Sequence, residues 1–369
     1  MKRYLTEQII KDLKKKMVFL GGPRQVGKTT VALAVLGDKK GYLNWDIPEH
    51  RERILKRELP ATPIIVFDEI HKYRHWRNYL KGLSDVPERA QQTLVTGSAR
   101  LDIYRFGGDS LQGRYHYLRL HPLSVRELGI KNNSGLKELL ELGGFPEPFL
   151  GKSLVEAKRW SREYRNRFLK EDIMSLEHIQ DIGNLENLIL RLPDLVGSPL
   201  SINALREDLQ VSHKTLSHWM DILERMYCIF RVAPFGSPKI RAVKKEQKHY
   251  HFDWPLVSDM PRRFENMVAS HLLKWVHFEE DTKGRGLELR YFRDIDSREV
   301  DFVITEDGKP ILFVEVKWSD DEVSKNLKYL LAKFPKTPSW QIHANGVKDY
   351  LTPEGIRVAP AAILLNNLA

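Results

Sequence analysis

The chain has 369 residues, with 59 Lys and Arg against 49 Asp and Glu, a formal charge of +10 and an isoelectric point near 9.4. At roughly 100–200 residues per domain this length predicts two or three domains, each able to bury a core. Hydrophobic residues at 42% and charged residues at 29% exclude a disordered chain, no apolar run approaches the ~18 residues of a membrane span, and the lone Cys228 excludes an intrachain disulfide or a cysteine-based zinc cluster.

The amino terminus is charged throughout and carries no secretory apolar core, so a cytoplasmic protein with no membrane segment is expected. Net charge is unevenly spread: residues 1–150 carry +9, residues 151–257 carry +3 and residues 258–369 carry −2. A basic balance favours a polyanionic partner. The tail that turns acidic suggests a separate region with clustered carboxylates.

In chain order, a polar helical stretch ending at Lys14, Lys15 and Lys16 leads into a short apolar strand, Met17 to Leu20. Gly22, Pro23, Arg24, Gln25, Val26, Gly27, Lys28, Thr29 and Thr30 follow, and Gly22 to Thr29 fit the phosphate-loop pattern. Glycines let backbone amides curl around phosphates, and the apolar helix after Thr30 offers its positive end. Lys28 is expected to reach the β- and γ-phosphates of ATP and Thr29 to ligand Mg2+.

A second apolar strand, Pro63 to Phe67, ends in Asp68 and Glu69. In a parallel sheet, ligands bind beyond the carboxyl ends of the strands, where these acids fall. Asp68 is expected to hold magnesium through water and Glu69 to polarise the attacking water. A third strand, Gln92 to Val95, ends in Thr96-Gly97-Ser98, with Ser98 the first and Thr96 the second choice for the polar residue beside the γ-phosphate. Arg114, at the start of a fifth strand, and Arg100 compete as a phosphate-sensing or subunit-bridging arginine.

Residues 151–180 read as an amphipathic helix with a basic face of Lys158, Arg159, Arg162, Arg165, Arg167 and Lys170. This face is either a solvated surface or a contact with nucleic acid or a neighbouring subunit. Ser201 caps a short helix, His213 to Met226 forms a second, and a strand begins at Cys228. That order makes a winged helix-turn-helix, read either as a DNA-contacting module led by His213, Lys214, Thr215 and His218 or as an interdomain lid.

In the last third, Glu265 lies near the start of a helix, and strands at 289–293, 300–304 and 311–317 follow. Glu315 and Lys317 are two apart and share one face of a strand, with Asp301 across the hairpin. An acid, then Glu-x-Lys on the next strand, is the core of the PD-(D/E)xK nuclease pattern. Asp301 and Glu315 suit a magnesium or manganese ion, and Lys317 suits the attacking water and the developing phosphate charge. The plain alternative is a surface cross-strand pair, although these charges interrupt an apolar run.

Taken in order, Gly22 to Thr29, Val66 to Glu69, Thr96-Gly97-Ser98, Gly113-Arg114, Pro122-Leu123-Ser124 and Gly143-Gly144-Phe145-Pro146 resemble the AAA+-type ATPases of bacteria and archaea that end in a domain of unknown function. The resemblance implies an α/β chain: an AAA+-like P-loop ATPase core over 1–150, a helical linker and winged helix over 151–240, and a restriction-endonuclease-like domain over 241–369. It implies Glu265 as an extra acid of the metal site, and oligomerisation through an arginine from a neighbouring subunit. Here Val300 stands where the nuclease pattern has proline. The expected function is Mg2+-dependent ATP hydrolysis acting on nucleic acid, with ATP-controlled phosphodiester cleavage. Its rival is an ATP-operated switch or scaffold whose nuclease-like domain only binds a partner.

Overall fold

The computed structural model describes residues 1–85, 91–97, 111–169, 181–236 and 246–369. These form two compact units, Met1–Pro122 with Asp281–Lys283, and Leu123–Glu280 with Gly284–Ala369.

The first unit holds five parallel strands, β1 (Met17–Gly21), β2 (Tyr42–Asn44), β3 (Ile64–Asp68), β4 (Gln92–Thr96) and β5 (Tyr115–Arg119), in the order β2-β3-β4-β1-β5. Burial on both faces explains why β1 and β3 read as unbroken apolar runs. Phe19, Phe67, Val95, Trp76 and Leu80 make the centre of one core cluster. The insertion of β4 between β1 and β3 is what separates the phosphate loop from the strand that carries the acids. Register then fixes the site: Leu20 and Asp68 both lie beside Thr96, at the carboxyl edge of the sheet.

The second unit is built on an eight-stranded mixed sheet in the order β12-β13-β11-β10-β9-β8-β6-β7. Its strands are β6 (Ile229–Pro234), β7 (Lys248–His251), β8 (Leu287–Arg293), β9 (Glu299–Glu306), β10 (Lys309–Lys317), β11 (Ser339–His343), β12 (Tyr350–Leu351) and β13 (Ile356–Pro360). Helices Ile202–Asp208 and His213–Arg225 are capped by the hydroxyls of Ser201 and Ser212 and precede the β6–β7 hairpin. The order helix Met260–Lys283, β8, β9, β10, helix Lys325–Lys333, β11 is αβββαβ.

The boundaries expected at 150 and 240 are not where the chain divides into compact units. The first division falls at Pro122/Leu123, and nothing divides at 240, because β6 pairs in parallel with β8 through Ala233 and Pro234. The helix-turn-helix hairpin thereby shares one sheet with the tail. The Gly143-Gly144-Phe145-Pro146 segment belongs to this unit. Gly143 has φ +83, and a Cβ there would lie 2.9 Å from Pro255; Gly144 O accepts from Leu123 N at 2.7 Å. Phe145 is fully buried against Trp160 and Tyr164, at centroid distances of 4.8 and 5.2 Å. Among the described residues, no helix is long and apolar enough to cross a membrane.

Candidate functional site

In the first unit, β1 runs into a loop whose backbone only glycine follows easily. Gly22 has φ +130 and a Cβ there would strike Leu120 O at 2.3 Å, while Gly27 has φ +98 and precedes the helix Lys28–Leu36. Arg3 holds the loop from outside, donating to the carbonyls of Val26 at 2.7 Å and His121 at 2.5 Å. The Lys28 ammonium is buried over the loop and donates to the carbonyls of Gly22 at 3.0 Å and Pro23 at 2.5 Å. Thr29 and Thr30 begin the helix on its exposed side.

Asp68 is the centre of a convergent cluster. One carboxylate oxygen, Oδ2, accepts from Thr29 Oγ1 at 2.8 Å and Tyr42 OH at 2.6 Å, and the other, Oδ1, accepts from Thr96 Oγ1 at 2.7 Å. Burial and the Asp68 carboxylate push the Tyr42 phenol well above its ordinary pKa, so it stays a donor. Glu69 sits at φ +56, ψ +20, a left-handed conformation costing on the order of 1–3 kcal/mol for a non-glycine residue. That turn sends the two acids apart: Asp68 is 5% exposed, whereas the Glu69 side chain is 22% exposed. Lys72 Nζ at 3.3 Å and His71 Nε2 at 3.6 Å flank the Glu69 carboxylate.

Of the two residues proposed beside the γ-phosphate, Thr96 is fully buried on Asp68, and Ser98 lies outside the described residues, as does Arg100. Arg114 is placed away from the loop. Tyr115 pairs with Met17 in parallel register, so Arg114 lies at the amino end of the strands, and its Nε donates to Asp85 Oδ1 at 2.9 Å. The phosphate loop follows the opposite, carboxyl end, so Arg114 does not face it within the chain. The Arg114 guanidinium holds the Asp85 carboxyl below the usual carboxylate range.

In the second unit, the antiparallel pairing of Val314 with Phe302 sets Glu315 opposite Asp301. Asp301 Oδ2 accepts from Val316 N at 2.8 Å, and Lys317 Nζ donates to Glu315 Oε1 at 2.9 Å. Glu315 is 5% exposed, and its Oε2 is buried without a hydrogen-bond partner. Burial, with Asp301 nearby, pushes the Glu315 carboxyl up to about 7, and burial raises Asp301 as well. Burial likewise raises Glu265 to about 7 against the pull of Lys248. Asp301, Glu315 and Lys317 therefore do come together. Glu265 shares Lys248 with Asp301: its Oε1 accepts from Tyr250 OH at 2.6 Å and from Lys248 Nζ at 3.4 Å, and the same ammonium lies 4.0 Å from Asp301 Oδ1. Among the described residues, no group of three His, Cys, Asp or Glu side chains is arranged to hold a metal ion. The expected three-acid set of Glu265, Asp301 and Glu315 is thus replaced by two acids facing each other and a third committed to a lysine.

Residues 14–129 match the family model of the AAA domain. That match covers most of the first unit and fits its parallel sheet and phosphate loop. Residues 133–266 and 262–364 match two further families, each a domain of unknown function, DUF8612 and DUF4143. Uncharacterized proteins of Mycobacterium tuberculosis and Mycobacterium bovis are 24% identical over 327 residues, spanning 85% of this chain and 73% of theirs. An uncharacterized protein of Methanocaldococcus jannaschii is 23% identical over 301 residues, 66% of this chain and 62% of its own. The solved Orc1 protein of Aeropyrum pernix in complex with DNA overlaps 73% of this chain and 93% of its own at 15% identity, with a TM-score of 0.33.

Three residues of these sites were not legible in the sequence. Tyr42 and Arg3 lack a motif, and Lys248 lies in a basic stretch with no motif of its own. The one available signal was alternation on β7: Lys248 and Tyr250 point to the acids, whereas the His249 ring meets Leu192 O at 2.8 Å on the other side. Of the basic helix face, Arg159 pairs with Glu156 and Arg167 with Glu163, as on an ordinary solvated helix. Lys170 lies outside the described residues.

Tyr42→Phe removes one of the two donors on Asp68 Oδ2. A hydrogen bond to a charged group contributes about 1.5–3 kcal/mol, so ATP turnover is expected to fall about 10- to 150-fold, with ATP affinity nearly kept. Steady-state phosphate release measures it. Unchanged turnover would show that Thr29 and Thr96 hold Asp68 without help.

Proposed function

We propose that the chain is a Mg2+-dependent ATPase acting on nucleic acid, with an ATP-controlled, metal-dependent phosphodiesterase site in its second unit. The observation that carries the ATPase half is the meeting of Thr29, Asp68 and Thr96 beside the phosphate loop. A hydroxyl and a carboxylate at hydrogen-bond distance suit a hard octahedral cation, the hydroxyl as direct ligand and the acid through water. Gly22 to Gly27 and Lys28 would hold the phosphates, Glu69 would orient the attacking water, and Ser98 would contact the γ-phosphate, since Thr96 is committed to Asp68. A subunit-bridging role for Arg114 or Arg100 would require assembly into a homo-oligomer.

The nuclease half is supported by Asp301, Glu315 and Lys317 on one sheet face, by the αβββαβ order, and by the buried, unpartnered Glu315 Oε2. Asp301 and Glu315 would hold a divalent ion, which when bound supplies Lewis-acid activation of a phosphate and a water. Lys317 would orient that water and offset phosphate charge. The helix-turn-helix and hairpin read as a winged helix, with His213, Lys214 and His218 exposed for a polyanion.

A paired assay of ATP hydrolysis and of DNA and RNA cutting, on wild type, Lys28→Ala and Asp301→Ala, tests both halves. Lys28→Ala should lose ATP hydrolysis, and Asp301→Ala should lose cutting while hydrolysing ATP like wild type. A purified wild type that cuts nothing with Mg2+ or Mn2+, or an Asp301→Ala that cuts equally well, leaves the reading of an ATP-operated switch with a binding-only second unit.

A further inference from the structure

Lys248 is 1% exposed, and its ammonium lies 2.6 Å from Glu299 Oε1, 3.4 Å from Glu265 Oε1 and 4.0 Å from Asp301 Oδ1. The ring of Tyr291 lies beneath it at 5.4 Å. A buried ammonium among three carboxylates is stabilised by them in turn: burial alone would lower its pKa, but Glu265, Asp301 and Glu299 raise it well above the ordinary lysine value. Without the lysine, three partly buried acids would face one another without a counter-charge, which is strongly unfavourable. The backbone adds to the enclosure, because a Cβ at Gly197 would lie 2.9 Å from Glu265 Oε2.

Glu315, across the hairpin from Asp301, is differently placed. Its Oε1 accepts from Lys317 Nζ at 2.9 Å, its Oε2 is buried without a hydrogen-bond partner, and Asp301 Oδ1 has Lys248 only at 4.0 Å. The corner around Lys248 is thus closely paired, whereas Glu315 keeps one oxygen to spare next to Asp301.

We infer that Lys248 is the resident cation of the Glu265–Glu299–Asp301 corner and stands where a second divalent ion would bind, so that the carboxylate site takes a single exchangeable metal between Asp301 and Glu315. The single-metal part rests on the nuclease reading above; the role of Lys248 does not. A divalent ion in the Glu265–Glu299–Asp301 corner would have to share it at close range with a tethered ammonium that is present at all times, and the two would repel in a site of low dielectric. Glu265 in this reading is a positioning residue for Lys248 rather than a metal ligand.

The test is a Mn2+ titration of the full chain without nucleotide, following free Mn2+ by electron paramagnetic resonance. Wild type, Lys248→Met, Lys248→Arg and the double variant Lys248→Met/Glu265→Gln are compared. Lys248→Met should bind one Mn2+ more per chain than wild type, Lys248→Arg should match wild type, and the double variant should lose the extra ion. A folded Lys248→Met that binds no more Mn2+ than wild type overturns the inference. Should Lys248→Met fail to fold in EDTA, recovery of a cooperative thermal transition in Mn2+ supports it, and absence of a transition in both overturns it. Because each readout is a difference between variants, it stays decisive even if the wild type cuts no nucleic acid.

Discussion

Glu69→Gln is expected to slow ATP hydrolysis by about 10²–10⁴-fold, the usual range for removing a positioned general base, while ATP affinity stays within a few-fold of wild type. Gln matches Glu in size, so the left-handed turn at φ +56 and the packing of Asp68 behind it remain. What disappears is the carboxylate that lies partly exposed at the sheet edge between Lys72 and His71. Lys28→Ala differs in kind, because it removes the charge proposed to meet the phosphates and should weaken nucleotide binding itself. Single-turnover hydrolysis together with equilibrium binding of a fluorescent ATP analogue separates the two effects. A Glu69→Gln enzyme that turns over like wild type would remove Glu69 from the chemistry, and a collapse in its ATP affinity would mean that the side chain serves binding.

Phe145→Ala should destabilise the second unit by about 3–5 kcal/mol, the range for deleting a fully buried aromatic ring. Its ring is closed in by Trp160 and Tyr164 and leaves a cavity that neither can fill without losing its own contact; those two rings already stack at 4.8 Å and 19°. Globular domains are stable by about 5–15 kcal/mol, so the loss is a large fraction of the total. Urea unfolding followed by tryptophan fluorescence reads it as a lower midpoint with a similar slope. Leu150→Ala is the matched control: that side chain is 61% exposed and should change stability by only about 0.5 kcal/mol. A Phe145→Ala protein unfolding at the wild-type midpoint would show that the Gly-Gly-Phe-Pro segment is not a packing element.

These two positions differ in how they became legible. Glu69 was read from its place after an apolar strand, since a strand buried on both faces leaves polar residues only at its end. Phe145 stands out only as part of one of the segments that carry the resemblance, and the structure supplies a physical role in the φ of Gly143 and the aromatic cluster. The hairpin carrying Asp301, Glu315 and Lys317 was equally readable, because alternation fixes which side chains share a face and the Asp307-Gly308 turn sets the register; both residues have positive φ.

The sequence by itself determined the local chemistry: the phosphate loop, the acids at the end of β3, and the Asp, Glu and Lys of one strand pair. Each follows from spacing along a single element, where the period of the backbone dictates direction. Only the tertiary structure decided what those elements meet. It put Tyr42 on Asp68 from an adjacent strand, and Arg114 at the end of the sheet away from the phosphate loop. It joined β6 to β8, so that the expected boundary at 240 falls inside one unit. It also placed Lys248 among the tail carboxylates, although in the sequence it lies 17 residues from Glu265 and belongs to a basic run. Strand order and register are set by packing of whole elements, and no spacing along the chain encodes them. The net charge of +10 is a sum over the whole chain, and the contact between one buried lysine and three acids shows how little such a sum says about a site.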